Sequence, residues 1–157
     1  MRLPLKPVAL SLSLVFASSA LFAQSVGKPE DQIRWRQAAY HTMAWNMTRI
    51  KANLEGTFNK DQVVQAANLI AAVANSGMGT LYTPGTDKGK GFKDTRVKPE
   101  LFTDKETVGK VAKAFNEAAN EMAKVAAGGD AAAVKSQFDK LGDACKGCHD
   151  KFRVEEK

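Results

Sequence analysis

Cysteine and histidine are scarce in this sequence, which has only two residues of each type. A structural zinc site normally needs four such ligands, and His41 lies far upstream of both cysteines. The chain also lacks internal repeats, low-complexity tracts and any alternation of strand-like with helix-like patterns. The missing second ligand pair argues against structural zinc, and the missing βαβ pattern argues against a thioredoxin-type redox pair.

Both cysteines fall in one short motif, Cys145-Lys146-Gly147-Cys148-His149. Two cysteines separated by two residues and followed at once by histidine form the attachment signature of a c-type haem. The two thiols add across vinyl groups on one edge of the porphyrin, so they must lie about one helical turn apart. His149 can then bind the iron as its proximal ligand. A short-range disulfide between the cysteines remains chemically possible, but the adjacent histidine favours haem.

The N-terminal segment has the layout of a secretory signal. Arg2 and Lys6 form a short positive region, and an apolar stretch follows over residues 8–16. Small residues come next, and we expect cleavage after Ala23, with Ala20 as the alternative site. The apolar stretch is short for a bilayer span and no second one follows, so a retained membrane anchor is the less favoured interpretation.

Cleavage at this point predicts a signal peptide over residues 1–23 and one domain over residues 24–157. Covalent haem is attached outside the cytoplasmic membrane, so we expect a periplasmic protein with no membrane association after leader removal. The leader carries two basic and no acidic residues, so the formal charge falls from +6 to +4. The remaining basic residues are scattered, which argues against nucleic-acid binding and leaves a weak preference for acidic redox partners.

Apolar periodicity predicts an all-α fold, an antiparallel four-helix bundle with one long crossover loop between helices two and three. The first helix begins near Pro29, since proline suits the first helical turn, and the second runs over about residues 60–76. The third opens with a capping box formed by Thr103 and Glu106. A glycine pair ends that helix, and Asp130 can cap the fourth.

The fourth predicted helix carries the haem motif on its apolar side. Its apolar residues recur at alternating steps of four and three, namely Val134, Phe138, Leu141, Cys145, Cys148 and Phe152. Both cysteines therefore extend the core-facing seam, and His149 lies just beside it. By contrast, residues 77–102 contain five glycines and have no clear period, so this segment forms the crossover.

At these positions the chain resembles the cytochromes c′, the class II c-type cytochromes, over nearly all of its mature length. The resemblance is carried by Lys28-Pro29-Glu30-Asp31 through Arg36-Gln37, Thr83-Pro84-Gly85-Thr86, Pro99-Glu100-Leu101-Phe102, and Cys145 to His149 with Phe152-Arg153. In this family the haem motif lies near the C-terminal end, whereas most class I cytochromes carry it near the N-terminus.

The resemblance implies one haem c per chain, attached through Cys145 and Cys148, with His149 as the axial iron ligand. It places Tyr40 at the other axial face, where typical family members carry a bulky residue that does not bind iron. We therefore expect five-coordinate, high-spin iron with a vacant sixth position that the Tyr40 ring shields. Met43 lies one turn further on the same face, and a thioether is a good haem ligand; core filling is the favoured role for Met43.

Two arginines are further candidates for the haem site. The resemblance sets Arg153 beside the proximal imidazole, although an arginine at the end of a helix is also favourable by itself. Arg36 is a weaker candidate for pairing with a haem propionate. His41 points away from Tyr40 by about 100° around the helix and is expected at the surface.

The implied function is electron transfer, binding of small gases such as nitric oxide and carbon monoxide, or both. The alternative is a six-coordinate, low-spin electron carrier of the cytochrome c-556 type, with Met43 as the sixth ligand. No acid–base residues are convincingly placed for catalysis, so we do not expect an enzyme. The resemblance also suggests a homodimer through the first two helices, to which exposed-looking residues such as Trp45 add weak support; Trp35 and Trp45 are expected to be packing or interface residues.

Overall fold

The computed structural model describes residues 27–155, so the predicted signal peptide and both candidate cleavage sites lie outside the described residues. Its helices are α1 (Pro29–Glu55), α2 (Lys60–Ala74), α3 (Glu100–Thr103), α4 (Lys105–Gly128) and α5 (Ala131–Phe152). The helix α3 is a single turn, and a short 3₁₀ helix spans Met78–Leu81. The four long helices form the predicted bundle, and residues 75–99 form most of its crossover segment.

The long helices pack in the order in which they occur along the chain. The helix α1 lies against α2, α2 lies against α4, and α4 lies against α5. The core side chains that are at most 1% exposed include Ile50, Val63, Ile70, Met122 and Leu141. These residues come from all four long helices, which confirms the predicted all-α four-helix bundle. Within the described range, no helix is long and apolar enough to cross a membrane.

Side-chain caps fix the starts of α2, α4 and α5. Asp130 accepts a hydrogen bond from the backbone amide of Ala133 at 2.6 Å, which confirms its predicted role at the start of α5. The predicted capping box of Thr103 and Glu106 is wrong by one residue. Asp104 is the cap of α4 and accepts from the Thr107 amide at 3.0 Å. The reason is that Thr103 belongs to the single turn α3, which ends immediately before this cap.

The crossover segment is held closely against α1. The side-chain amide of Gln37 donates to the carbonyl of Lys93 at 2.9 Å and accepts from the amide of Phe92 at 2.8 Å. Directly before these two residues, the backbone approaches α1 so closely that a Cβ at Gly91 would lie 2.8 Å from the Cα of Arg34. Glycine at this position therefore lets the segment lie directly on the helix.

The end of α5 is tied to the same segment. The amide of Lys98 donates to the carbonyl of Phe152 at 2.9 Å, and the amide of Val154 donates to the carbonyl of Arg96 at 2.8 Å. These backbone bonds fix the C-terminal end of α5, directly after the haem motif, against the crossover segment.

Candidate haem site

A cavity of about 1390 Å³ lies between α1, α4, α5 and the crossover segment. This volume exceeds the roughly 300–1,000 Å³ that is usual for a small-molecule site. Most of its lining is apolar, including Val108, Val111 and Phe115 of α4. All six predicted site residues also line it: Arg36, Tyr40, Cys145, Cys148, His149 and Arg153. The fold therefore brings together residues that are more than a hundred positions apart in the sequence.

Cys145 and Cys148 lie one helical turn apart on the cavity side of α5. Both are half-buried free thiols. Burial raises the pKa of each thiol, and for Cys145 the neighbouring Cys148 raises it further. Among residues 27–155, no three His, Cys, Asp or Glu side chains are grouped so as to hold a metal ion by themselves. The paired thiols thus face a large apolar cavity, which is the environment that attachment of a porphyrin requires.

His149 lines the cavity next to the second thiol. Burial lowers the pKa of its imidazole, and the positive charges of Arg153 and Arg96 lower it further. The neutral form of the ring is the one that binds a metal, so this environment favours the ligand form. Arg153 lies beside the ring, with its Nη1 3.5 Å from Nε2 of His149.

Tyr40 lines the cavity from α1 and is 40% exposed. Its hydroxyl lies 2.8 Å from the hydroxyl of Tyr82, so the two form a hydrogen bond. Burial raises the pKa of Tyr40, which keeps its phenol neutral. Met43, one turn along, also borders the cavity but is only 7% exposed and belongs to the hydrophobic core. His41 is exposed, as predicted, although part of it borders the cavity.

Arg36 is 2% exposed, and its guanidinium reaches the crossover segment. Nη1 donates to the carbonyl of Leu81 at 3.1 Å and to Oγ1 of Thr86 at 2.8 Å. Nη2 donates to the carbonyl of Thr86 and to Oγ1 of Thr95 at 2.9 Å. These bonds use four of the five N–H donors of the side chain. Arg36 therefore anchors the crossover segment. Its pairing with a propionate stays a prediction, and only Nε could make that contact without disturbing these bonds.

Tyr82 is the site residue that sequence analysis missed. It follows the 3₁₀ helix in the crossover segment, and its ring lies 4.6 Å from the guanidinium carbon of Arg36. No periodicity marks this residue, because the segment around it has none. The one available signal was its position just before Thr83-Pro84-Gly85-Thr86, a stretch that also carries the family resemblance.

Comparison with known proteins matches residues 31–153 to the family described as Cytochrome C′. The chain is 61% identical over 127 residues to the cytochrome c′ of Rhodocyclus tenuis, covering 80% of this chain and 96% of the relative. It is 57% identical over 143 residues to the cytochrome c′ of Allochromatium vinosum, covering 91% and 92% respectively. A solved cytochrome c′ with an unusual ligand-controlled dimer dissociation is 58% identical, with a TM-score of 0.80, over 83% of this chain and 99% of that one.

A four-helix bundle that carries the haem-attachment motif beside a large apolar cavity defines a c-type haem protein. The matched family and the identity to its members specify which one: the chain belongs to the cytochrome c′ family. This confirms the resemblance drawn from the sequence motifs.

Proposed function

We propose that this chain is a periplasmic protein that carries one covalently attached haem c with five-coordinate, high-spin iron, and that it acts in electron transfer and in binding small gases such as nitric oxide and carbon monoxide. The observation that carries the proposal is that Cys145, Cys148, His149 and Tyr40 line one cavity. We propose no enzymatic turnover. The partners are redox proteins of the periplasm, with a weak preference for acidic ones, and the gases themselves.

The residues of α5 hold the haem on its proximal side. Cys145 and Cys148 would form the two thioether bonds, and the imidazole of His149 would bind the iron. Bound there, the haem supplies an iron that cycles between the ferric and ferrous states and offers a coordination position to a gas. Arg153 lies close enough to His149 to act on the ring through its charge, since 3.5 Å separates their nitrogens.

The other axial position is vacant in this proposal because the available side chains are occupied elsewhere. The hydroxyl of Tyr40 is hydrogen-bonded to Tyr82. This supports a role for the Tyr40 ring as a shield rather than for its phenolate as an iron ligand. The Met43 side chain is packed in the core, in the same hydrophobic cluster as Ile70 and Leu141. A gas must displace the Tyr40 ring to bind, so small ligands are favoured over large ones.

The second candidate is a low-spin electron carrier in which Met43 binds the iron. One observation favours it, since Met43 borders the cavity one turn from Tyr40. A thioether ligand would close the sixth position and leave electron transfer as the only function.

Visible and EPR spectra of the protein, matured in a host that has c-type haem attachment machinery, decide between the two. We expect covalently bound haem, a high-spin ferric signal and a ferrous form that takes up carbon monoxide. A low-spin spectrum that does not respond to carbon monoxide would establish the Met43 candidate instead. Absence of covalent haem would overturn both.

We also propose a homodimer through α1 and α2. Trp35 and Trp45 of α1 are 43% and 58% exposed, and neither lines the cavity. The 58% identical solved relative is described as a dimer whose dissociation a ligand controls. In this chain, displacement of Tyr40 would press on α1 and weaken such a dimer. Sedimentation that shows a monomer without ligand, or an unchanged mass on saturation with carbon monoxide, would contradict this proposal.

A further inference from the structure

Tyr40 and Tyr82 meet through their hydroxyl groups at 2.8 Å, although one lies on α1 and the other on the crossover segment. Both residues line the cavity. We propose that Tyr82 is a positioning residue that holds the Tyr40 ring over the sixth coordination position and so sets how readily a diatomic ligand binds. The inference rests on the proposed five-coordinate function.

The Tyr82 ring is itself held in place. The guanidinium carbon of Arg36 lies 4.6 Å from the centre of the ring, within the range of a cation–π contact. Arg36 is buried and also binds the backbone on both sides of Tyr82, through the carbonyls of Leu81 and Thr86. Because the position of Tyr82 is itself fixed, Tyr82 can restrain Tyr40; a partner that moved freely could not do so.

Two linked contacts on one face of α1 hold the crossover segment and the Tyr40 ring. Arg36 and Tyr40 are four residues apart, so they lie one turn apart on the same side of the helix. Arg36 fixes the crossover segment, and through Tyr82 the segment in turn fixes Tyr40. Burial raises the pKa of Tyr82 well above that of a free phenol, so its hydroxyl keeps its proton over the physiological range and the hydrogen bond persists there.

Ligand entry must break this hydrogen bond before the Tyr40 ring can move. A neutral hydrogen bond contributes a modest net free energy, equivalent to roughly a 3- to 10-fold change in an equilibrium constant. The restraint acts on the closed form, so its removal should raise the association rate of the ligand and leave the dissociation rate nearly unchanged. A purely structural role of Tyr82 would instead lower stability without selectively changing association.

The test uses the haem-loaded, ferrous protein and carbon monoxide as the probe ligand. Stopped-flow mixing of wild type with Tyr82→Phe gives both rate constants, and we expect about a 3- to 10-fold faster association in the variant. Phenylalanine keeps the ring over Arg36 and removes only the hydroxyl. Tyr40→Phe removes the same hydrogen bond, so it should give a similar change, and the double variant should add little to either.

Thr80→Val is the matched control, because it removes a crossover hydroxyl whose hydrogen bond in the described structure stays within the segment, to the carbonyl of Gly77. Amide hydrogen exchange gives a second readout, since binding of carbon monoxide should loosen the segment around Tyr82 in wild type and much less so in Tyr82→Phe. Wild-type rates in Tyr82→Phe, alongside faster association in Tyr40→Ala, would overturn this inference and leave the proposed function standing. A wild-type protein that does not bind carbon monoxide would overturn both.

Discussion

The two ends of the bundle use the same apolar pattern for different purposes. At the packed end, Ile50, Val63, Met122 and Val134 are completely buried and belong to one hydrophobic cluster formed by all four long helices. At the cavity end, the α4 side chains that continue the same stripe are half-exposed and line the cavity, as Phe115 shows. At the packed end, protein side chains alone fill the interior. At the cavity end, apolar walls and two thiols face the space for a non-protein group, the haem.

This difference shows that periodicity identifies the inner face of a helix but not what fills the space in front of it. In α5 the seam runs without interruption from Val134 in the core to Cys148 beside the cavity. The stability of the packed end should therefore depend on side-chain volume. The stability of the cavity end should depend on the haem and on the segment that closes the cavity.

The largest expected effect comes from removing both attachment thiols. In the double variant Cys145→Ser with Cys148→Ser, we expect no haem to remain on the denatured chain, because no thioether bond can form. A haem stain of a denaturing gel measures this directly. Lys146→Gln is the matched control, since Lys146 lies between the cysteines but is exposed, and its ion pair within residues 27–155 is with Asp150. Haem that stays bound to the double variant after denaturation would contradict the proposed attachment.

A pair of methionine truncations compares the two ends with the same chemistry. Met122 is fully buried at the packed end, so Met122→Ala should lower the free energy of unfolding by about 2–5 kcal/mol. Met78 is half-exposed in the 3₁₀ helix and borders the cavity, so Met78→Ala should lower it by much less. Urea unfolding of the two haem-loaded variants measures the difference. Equal losses would show that the packed end is not the principal source of stability.

Replacing Arg36 by lysine tests how the cavity is closed. Lysine keeps the charge but cannot reproduce the forked geometry of four hydrogen bonds. Since these bonds are buried and charge-assisted, Arg36→Lys should lower the free energy of unfolding by roughly 2–3 kcal/mol. Arg34→Lys on the same helix is the control, because Arg34 is exposed and its ion pair in the described part of the chain is with the neighbouring Asp31; its effect should stay within about 0.5 kcal/mol. Similar effects in both variants would contradict the anchoring role.

The smallest effect is expected from pH. Burial raises the pKa of Tyr40 and, more strongly, that of Tyr82. An unfolded tyrosine ionises near pH 10, so the stability due to these phenols is present below about pH 10 and is lost as the pH rises through the folded-state pKa values. Tyr82→Phe should reduce this alkaline loss, and unfolding measured from about pH 8 to 11 checks it. An identical pH dependence in wild type and variant would contradict the raised pKa.

Sequence analysis predicted the parts of the molecule that periodicity and local chemistry determine. The start of α1 at Pro29, the Asp130 cap and the seam through both cysteines required only spacing and residue type. The cap of α4 was placed one residue early because Thr103 is also a good cap, and only the extra turn α3 excludes it. Local sequence could not reveal that turn.

The contacts of the crossover segment could not be predicted, because they depend on tertiary structure. Arg36 was a weaker candidate for pairing with a propionate, and nothing in the sequence indicated that its described hydrogen bonds would all go to the crossover segment. The Tyr82 hydroxyl meets Tyr40 only because the segment folds back on α1. The resemblance predicted that Tyr40 and Arg153 lie at the haem site, but it gave no information on what holds Tyr40 in place.

The anchoring of the crossover segment also has a consequence for the order in which the molecule assembles. The bonds from Arg36 join residues 45 to 59 positions apart, whereas α1 meets α2, and α4 meets α5, through a short connection. Contacts between sequence neighbours form early, and those that close long loops form late. We therefore expect the helices to pair first and the cavity to close last. During that interval both thiols of α5 remain accessible, which is when an attachment enzyme could reach them.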